Sequence, residues 1–279
     1  MKKVGVIILS ILIVVATMGL ASMTRTPNHD RSWELGHDKL PQIQISGDNI
    51  TIQNMRDFTW NVDGGADGKY ITDKFKLSEM DSVDVIISHF DDFHGLAHIF
   101  ITFGFENDEY IVVSVETRRE ENEAFSPWTG LLNKFELIYV VGTERDIIGT
   151  RTNVRGEKVY LYNVDAEPKT IQKLFKLIAE DINVIYDTPK FYNTLSWNCI
   201  NAITRRVEDV ADVNFPVTYK MLLPGFVDEV LYDMEIIRQK GTFEEIEMKA
   251  EIDNDRVDRD SEDFSNQIRT QFKTQLSST

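Results

Sequence analysis

The sequence holds one cysteine, Cys199, and five histidines, and these are the residues from which thiol chemistry could be built. A lone cysteine cannot close a disulfide within the chain. Its thiol is either an inert buried side chain, the commoner fate of a free cysteine, or a nucleophile. Position argues for the second. Asn198 precedes it, and Ile200, Ile203, Val207 and Val210 follow at helical spacing, the pattern of a helix that Asn198 can cap. A cysteine in that first turn feels unpaired N–H groups and the positive end of the helix dipole, which favour thiolate and predict a lowered pKa. Its own N–H, with Asn198 beside it, would face an oxyanion forming on a substrate.

A nucleophilic thiol needs a base. His29 and His37 lie in a polar stretch near the N-terminus, and His89 and His94 in an irregular loop, where solvated or structural roles are the default. His98 opens the apolar run Leu96-Ala97-His98-Ile99-Phe100-Ile101, where solubility does not explain an imidazole; alone it reads as a satisfied core histidine, and together with a capped cysteine at a helix start it reads as the base. A third group should orient it. The turn Glu106-Asn107-Asp108-Glu109 brings strand Tyr110–Thr117 alongside Ile99–Phe105. Ser114 and Glu116 share one face of that strand, and Val113, Val115 and Thr117 the other; a slip of one residue exchanges them, so counting does not choose. Glu116 is the sharper candidate, with an ion pair from Glu116 to Arg118 or Arg119 as the plain alternative. A metal site at His89, Asp91, Asp92, His94 and His98 lacks a second compact ligand cluster. Ser114 as nucleophile lacks a tight glycine turn, and the acids of Asp63-Gly64-Gly65-Ala66-Asp67-Gly68 read as a turn rather than a calcium loop. Neither metal nor cofactor is expected.

These residues must be positioned by a fold. With 279 residues and 42% apolar composition the chain can bury one sizeable core. Lys2 and Lys3 precede a charge-free apolar run, Val4 to Ala21, whose form is that of an export signal or an N-terminal hydrophobic helix anchoring the chain in the membrane. In either case the remainder is extracytoplasmic. Residues 1–23 are thus signal or anchor, 24–40 a linker, 41–240 the catalytic domain and 241–279 an acidic, mobile or loosely helical tail. A charge of −16 and pI of about 4.7 argue against nucleic acid as partner. Strands are read at a hairpin in Gln42–Gln53, at Val83–Ile87, Ile99–Phe105, Tyr110–Thr117, Leu137–Val141 and Val159–Val164, more weakly at Ile147–Val154. Apolar residues at Ile171, Leu174, Phe175, Ile178 and Ile182 after Pro168 define a helix, and Phe215–Ile237 holds a short one. The class is α+β, an antiparallel sheet packed against helices.

The ordered blocks Asn54-Met55-Arg56-Asp57-Phe58, Ala97-His98-Ile99-Phe100-Ile101-Thr102-Phe103-Gly104-Phe105, Ser114-Val115-Glu116-Thr117-Arg118-Arg119-Glu120, Arg151-Thr152-Asn153-Val154-Arg155-Gly156, Phe191-Tyr192-Asn193-Thr194, Asn198-Cys199 and Leu223-Pro224-Gly225 carry a resemblance. With Arg31-Ser32-Trp33 and further blocks they span about residues 31 to 235. The chain resembles the periplasmic domain of Lnb-type bacterial lipoprotein N-acyltransferases, formerly a domain of unknown function. The resemblance implies a circularly permuted papain-like fold, related to the NlpC/P60 hydrolases, in which the catalytic histidine precedes the cysteine, as His98 precedes Cys199. It implies an acyl-thioenzyme and leaves donor and acceptor open, with phospholipid or lipoprotein as possible substrate and the membrane as partner. Acyltransferases of this class carry further membrane-spanning helices after the domain, where this chain has its acidic segment. An envelope hydrolase, a cell-wall peptidase or amidase, and a non-catalytic envelope scaffold are the alternatives.

Overall fold

Among the described residues alternating apolar side chains build eight strands: β1 (Gln42–Ser46), β2 (Asn49–Trp60), β3 (Ala66–Lys76), β4 (Met80–His89), β5 (Ala97–Phe105), β6 (Tyr110–Arg118), β7 (Glu136–Gly142) and β8 (Lys158–Asn163). The computed structural model describes residues 24–123, 130 and 133–270. The proposed signal or anchor, Val4–Ala21, and the end of the acidic segment lie outside these, and among the described residues no helix is long and apolar enough to cross a membrane.

The strands form one sheet in the order β1-β2-β7-β6-β5-β4-β8, with β3 also paired to β2. Neighbours are antiparallel except β2 and β7, which meet in parallel at Arg56↔Gly142. The sheet is therefore mixed, which corrects the expectation of an antiparallel one. Hairpins advertise antiparallel neighbours through their turns, whereas this seam joins two hairpin blocks remote in sequence and has no local signature.

Among the described residues six α-helices accompany the sheet: α1 (Glu144–Gly149), α2 (Pro168–Asp187), α3 (Cys199–Val210), α4 (Val227–Asp233), α5 (Phe243–Ala250) and α6 (Phe264–Gln267). Strand alternation divides their places. Ile99, Ile101 and Phe103 of β5 turn toward α2 and α3: Phe103 meets Phe175 edge-on at 5.2 Å, and Ile99 and Ile101 line an apolar cavity with Ile171, Leu174, Ile200 and Ile203. On the other face Thr102 donates to Glu144 at the start of α1.

Three expectations are corrected. Ile147–Val154 is no strand: Thr143 caps α1 by accepting from the Asp146 N–H at 3.3 Å, and the chain continues into a π turn, Thr150–Val154. Burial of Asp146, which accepts from Arg56 Nε, Phe58 N–H and Trp60 Nε1, overrides the β-branched composition. Residues 24–40 are no free linker, since Trp33 and His37 are buried and the Arg118 guanidinium lies 4.1 Å over the Trp33 ring. The segment 241–270 is no mobile tail, since Ile246, Ala250, Ile252, Val257, Phe264 and Ile268 are buried. In both flanks a few spaced anchors do the packing, too sparse to raise the mean hydropathy of a polar stretch.

Candidate active site

Cys199 is the first residue of α3 and Asn198 its N-cap, the Asn198 side-chain Oδ1 accepting from the Asn201 N–H at 2.8 Å. The Asn198 amide nitrogen donates to the Thr194 carbonyl at 2.7 Å. Both ends of that side chain are thus engaged in holding the helix start. The loop before it is a side-chain-built turn, with Asn193 Oδ1 accepting from the N–H groups of Leu195 and Ser196. The cysteine is placed as the sequence predicts, but its pKa is not. Burial pushes the Cys199 thiol above its ordinary value, against the opposing N–H groups of Ile99, Ile200 and Cys199 itself. Desolvation of the thiolate outweighs the helix start, so the thiol is protonated at neutral pH.

His98 stands at the beginning of β5, opposite Ser88 of β4. β5 and β6 pair from Ile101↔Val113 to Gly104↔Tyr110; toward their other ends the side chains of His98, Ser114 and Glu116 meet. His98 Nε2 lies 2.7 Å from Ser114 Oγ, and Ser114 Oγ donates to Glu116 Oε1 at 2.8 Å. The protons follow from this chain. Glu116 is held well below the usual carboxylate range, because His37, His98 and Arg151 outweigh the cost of its burial, so it only accepts. Ser114 spends its one proton on Glu116 and must accept from His98. The imidazole therefore carries its proton on Nε2, which leaves the lone pair on Nδ1. Burial, then the nearby Arg151 charge, lower His98 to about 3, so the ring is neutral at pH 7.

Both Ser114 and Glu116 thus support His98, in series, with Ser114 the direct contact. The alternative ion pairs of Glu116 do not form: Arg118 donates to the carbonyls of His37 and Asp38 and Arg119 pairs with Glu34. Ser114 is fully buried, which suits a relay and not a nucleophile. His98, Glu116, Asn198 and Cys199 line one cavity, about 310 Å³ in volume, although no hydrogen bond joins the described Cys199 and His98 side chains. Catalytic contacts are commonly longer before substrate closes a site.

Four contributors escaped the sequence reading. His37, assigned to a linker, has its Nε2 3.4 Å from Glu116 Oε2. Arg151 Nη2 lies 3.5 Å from Glu116 Oε1. Tyr192 is buried beside Cys199, whose N–H faces the phenol oxygen, and Arg155 lines the cavity wall. Only membership of the quoted blocks could have marked the last three. His89 and His94 stack at 4.4 Å outside this cavity, and among the described residues no group of three or more His, Cys, Asp or Glu is arranged to hold a metal.

A buried thiol at a helix start and a tautomer-fixed imidazole thus line one cavity of an α+β domain built on a mixed sheet. The chain belongs to the family of the Lnb N-terminal periplasmic domain, whose model matches residues 66–225. It is accordingly a protein of the bacterial envelope, located in the periplasm or beyond the cytoplasmic membrane. No curated protein and no solved structure matches it.

Proposed function

We propose that the domain is a thiol-dependent acyl enzyme with a permuted papain-like arrangement, tethered to the membrane through Val4–Ala21. His98 Nδ1 takes the Cys199 proton as the sulfur attacks the carbonyl carbon of an ester or amide. Collapse of the tetrahedral intermediate expels the alcohol or amine, which receives that proton from His98, and leaves an acyl thioester on Cys199. An amine then accepts the acyl group in transfer, or water in hydrolysis. The neutral thiol and neutral imidazole fit a base that works during attack rather than a preformed ion pair.

The observation that carries this reading is the chain His98–Ser114–Glu116, which fixes the base tautomer in the cavity that also holds Cys199. A lipidic acyl group, of a phospholipid or lipoprotein, is favoured over cell-wall peptide by the apolar mouth. Phe90, Leu96, Leu222 and Pro224 line the cavity, and Phe93 and Leu195, close in sequence to its lining residues Leu96 and Thr194, are exposed. Pro224-Gly225 closes one side: a Cβ at Gly225 would lie 1.7 Å from the His94 carbonyl oxygen, so this approach of loop to loop requires glycine.

Intact-mass measurement after incubation with phospholipid, and separately with peptidoglycan fragments, tests the reading. An acyl adduct on the wild-type chain and none on Cys199→Ala is expected from phospholipid; an adduct from peptidoglycan alone would make the protein a cell-wall enzyme. Full turnover by Cys199→Ala would overturn the mechanism. The raised thiol pKa and the missing Cys199–His98 hydrogen bond favour a second reading, a non-catalytic scaffold. If His98 acts as base, His98→Ala slows alkylation of Cys199 by a neutral reagent; equal rates favour the scaffold.

A further inference from the structure

Besides its apolar lining residues, the cavity has a wall of guanidinium groups. Arg119, Arg151 and Arg155 line the cavity of Cys199 and His98 and also an adjoining polar one with Arg56 and His37. A chain with 46 acidic against 30 basic residues has thus gathered its cations beside its thiol. The global charge argues against a long polyanion, but it does not bear on a seat for one anionic group.

Local structure explains the gathering. The π turn Thr150–Val154 closes with the Arg155 N–H donating to the Thr150 carbonyl at 3.0 Å, and residues four apart in such a turn project on one side. Arg151 and Arg155 are so placed, and Gly156, at φ +63°, turns the chain away immediately after them. Widened turns of this kind recur at functional sites.

The wall has more donors than acceptors. Glu157 serves both Arg151 at 3.3 Å and Arg155 at 3.5 Å, and it also accepts from Ser88. Glu116 is shared among Ser114, His37 and Arg151. Arg119 is satisfied by Glu34 at 2.6 Å. Arg151, 8% exposed, has a buried Nε with no partner and only long ion pairs. Burying a guanidinium with an unmet donor is costly unless something else meets it. Partial burial and then the like charge of Arg151 pull the Arg155 guanidinium below its ordinary value, the mark of two cations held together without full compensation.

We propose that this wall is a phosphate seat: Arg155 and Arg151 bind the phosphate oxyanion of the substrate while its acyl chain lies against Phe90, Leu96 and Leu222, which sets the carbonyl over Cys199. Arg155, half-exposed at the cavity wall, makes the contact that can be removed with least disturbance. Guanidinium donors match phosphate oxygens in bidentate fashion. The proposal deepens the acyl-enzyme reading, and its test is made independent of turnover.

Binding is measured by calorimetry on the full chain carrying Cys199→Ala, which cannot be acylated. Three probes are used: dihexanoylphosphatidylglycerol below its micellar concentration, dihexanoylglycerol and inorganic phosphate. The phospholipid should bind at least about tenfold more tightly than the neutral diacylglycerol, and Arg155→Gln should remove that advantage, a tenfold change corresponding to about 1.4 kcal/mol. Arg256→Gln, the same charge change at a surface site 82% exposed, should leave the affinity as it was. Inorganic phosphate binding as tightly as the phospholipid would keep the seat and make its ligand the free ion. Equal affinity for both diacyl compounds, or undiminished phospholipid binding by Arg155→Gln, would overturn the seat. An absent acyl adduct on the wild-type chain with phospholipid binding intact would overturn the nucleophile alone.

Discussion

Two buried arginines show how differently this fold uses the same side chain. Arg269, 7% exposed, pairs with Asp84 at 2.8 Å and Glu144 at 2.6 Å, donates to the Ser265 carbonyl and lies 3.6 Å over the Tyr110 ring. Arg151 is as buried, yet its ion pairs are 3.3 and 3.5 Å long and its Nε is unpartnered. The first is a closed clamp that ties the C-terminal segment to β4 and α1. The second is an open cluster facing a cavity. Burial is common to both, and satisfaction separates structure from function.

The contrast can be broken most forcefully at the clamp. Arg269→Met strands two carboxylates in the interior and should cost about 3–5 kcal/mol in urea unfolding; a loss below about 1 kcal/mol would mean that the segment is not clamped. Arg151→Met should cost less stability, because Glu116 and Glu157 keep other donors, while abolishing phospholipid binding. Next in size, Glu116→Gln replaces a carboxylate that only accepts with a neutral amide that can also donate, so the order of the Ser114 and His98 protons is no longer enforced. It should lower kcat/KM for acyl-enzyme formation by about 100-fold, equivalent to roughly 2.7 kcal/mol, with the fold retained. Because Glu116 acts through His98, the acid limb of the pH–rate profile should move as well; an unmoved limb would reduce Glu116 to a packing role. Smaller still, Asn198→Ala should cost about 1 kcal/mol of thermal stability as a lost N-cap, and an unchanged melting temperature would exclude the cap.

The pH dependence of stability sharpens the same contrast. His98 falls from an ordinary 6.5 to about 3 on folding, so below 6.5 the unfolded chain binds the extra proton. Its contribution is complete above pH 6.5 and is lost as pH drops from 6.5 toward 3. Glu116, held below its ordinary 4.5, adds a loss in the same direction at lower pH. His98→Gln should reduce the fall of the denaturation midpoint between pH 6.5 and 3, with His89, lowered to about 4 by burial, supplying a remainder of the same sign; a midpoint in the wild type that is level across that window would contradict the buried neutral ring.

The sequence by itself determined the local pieces. The spacing after Asn198 fixes a helix that begins at Cys199, the turn at 106–109 pairs β5 with β6, and an imidazole in an apolar strand marks His98, because each follows from periodicity or turn chemistry within a few residues. The tertiary structure decided the rest. It put Ser114 and Glu116, rather than their neighbours, on the side of His98, since strand register is a long-range choice. It brought in His37 and Arg151 from segments read as linker and strand, and it docked residues 243–270 through anchors too sparse for composition to register. It also reversed the expected shift at Cys199. A helix start favours thiolate from sequence alone, but the desolvation that outweighs it depends on what the folded chain packs around the sulfur.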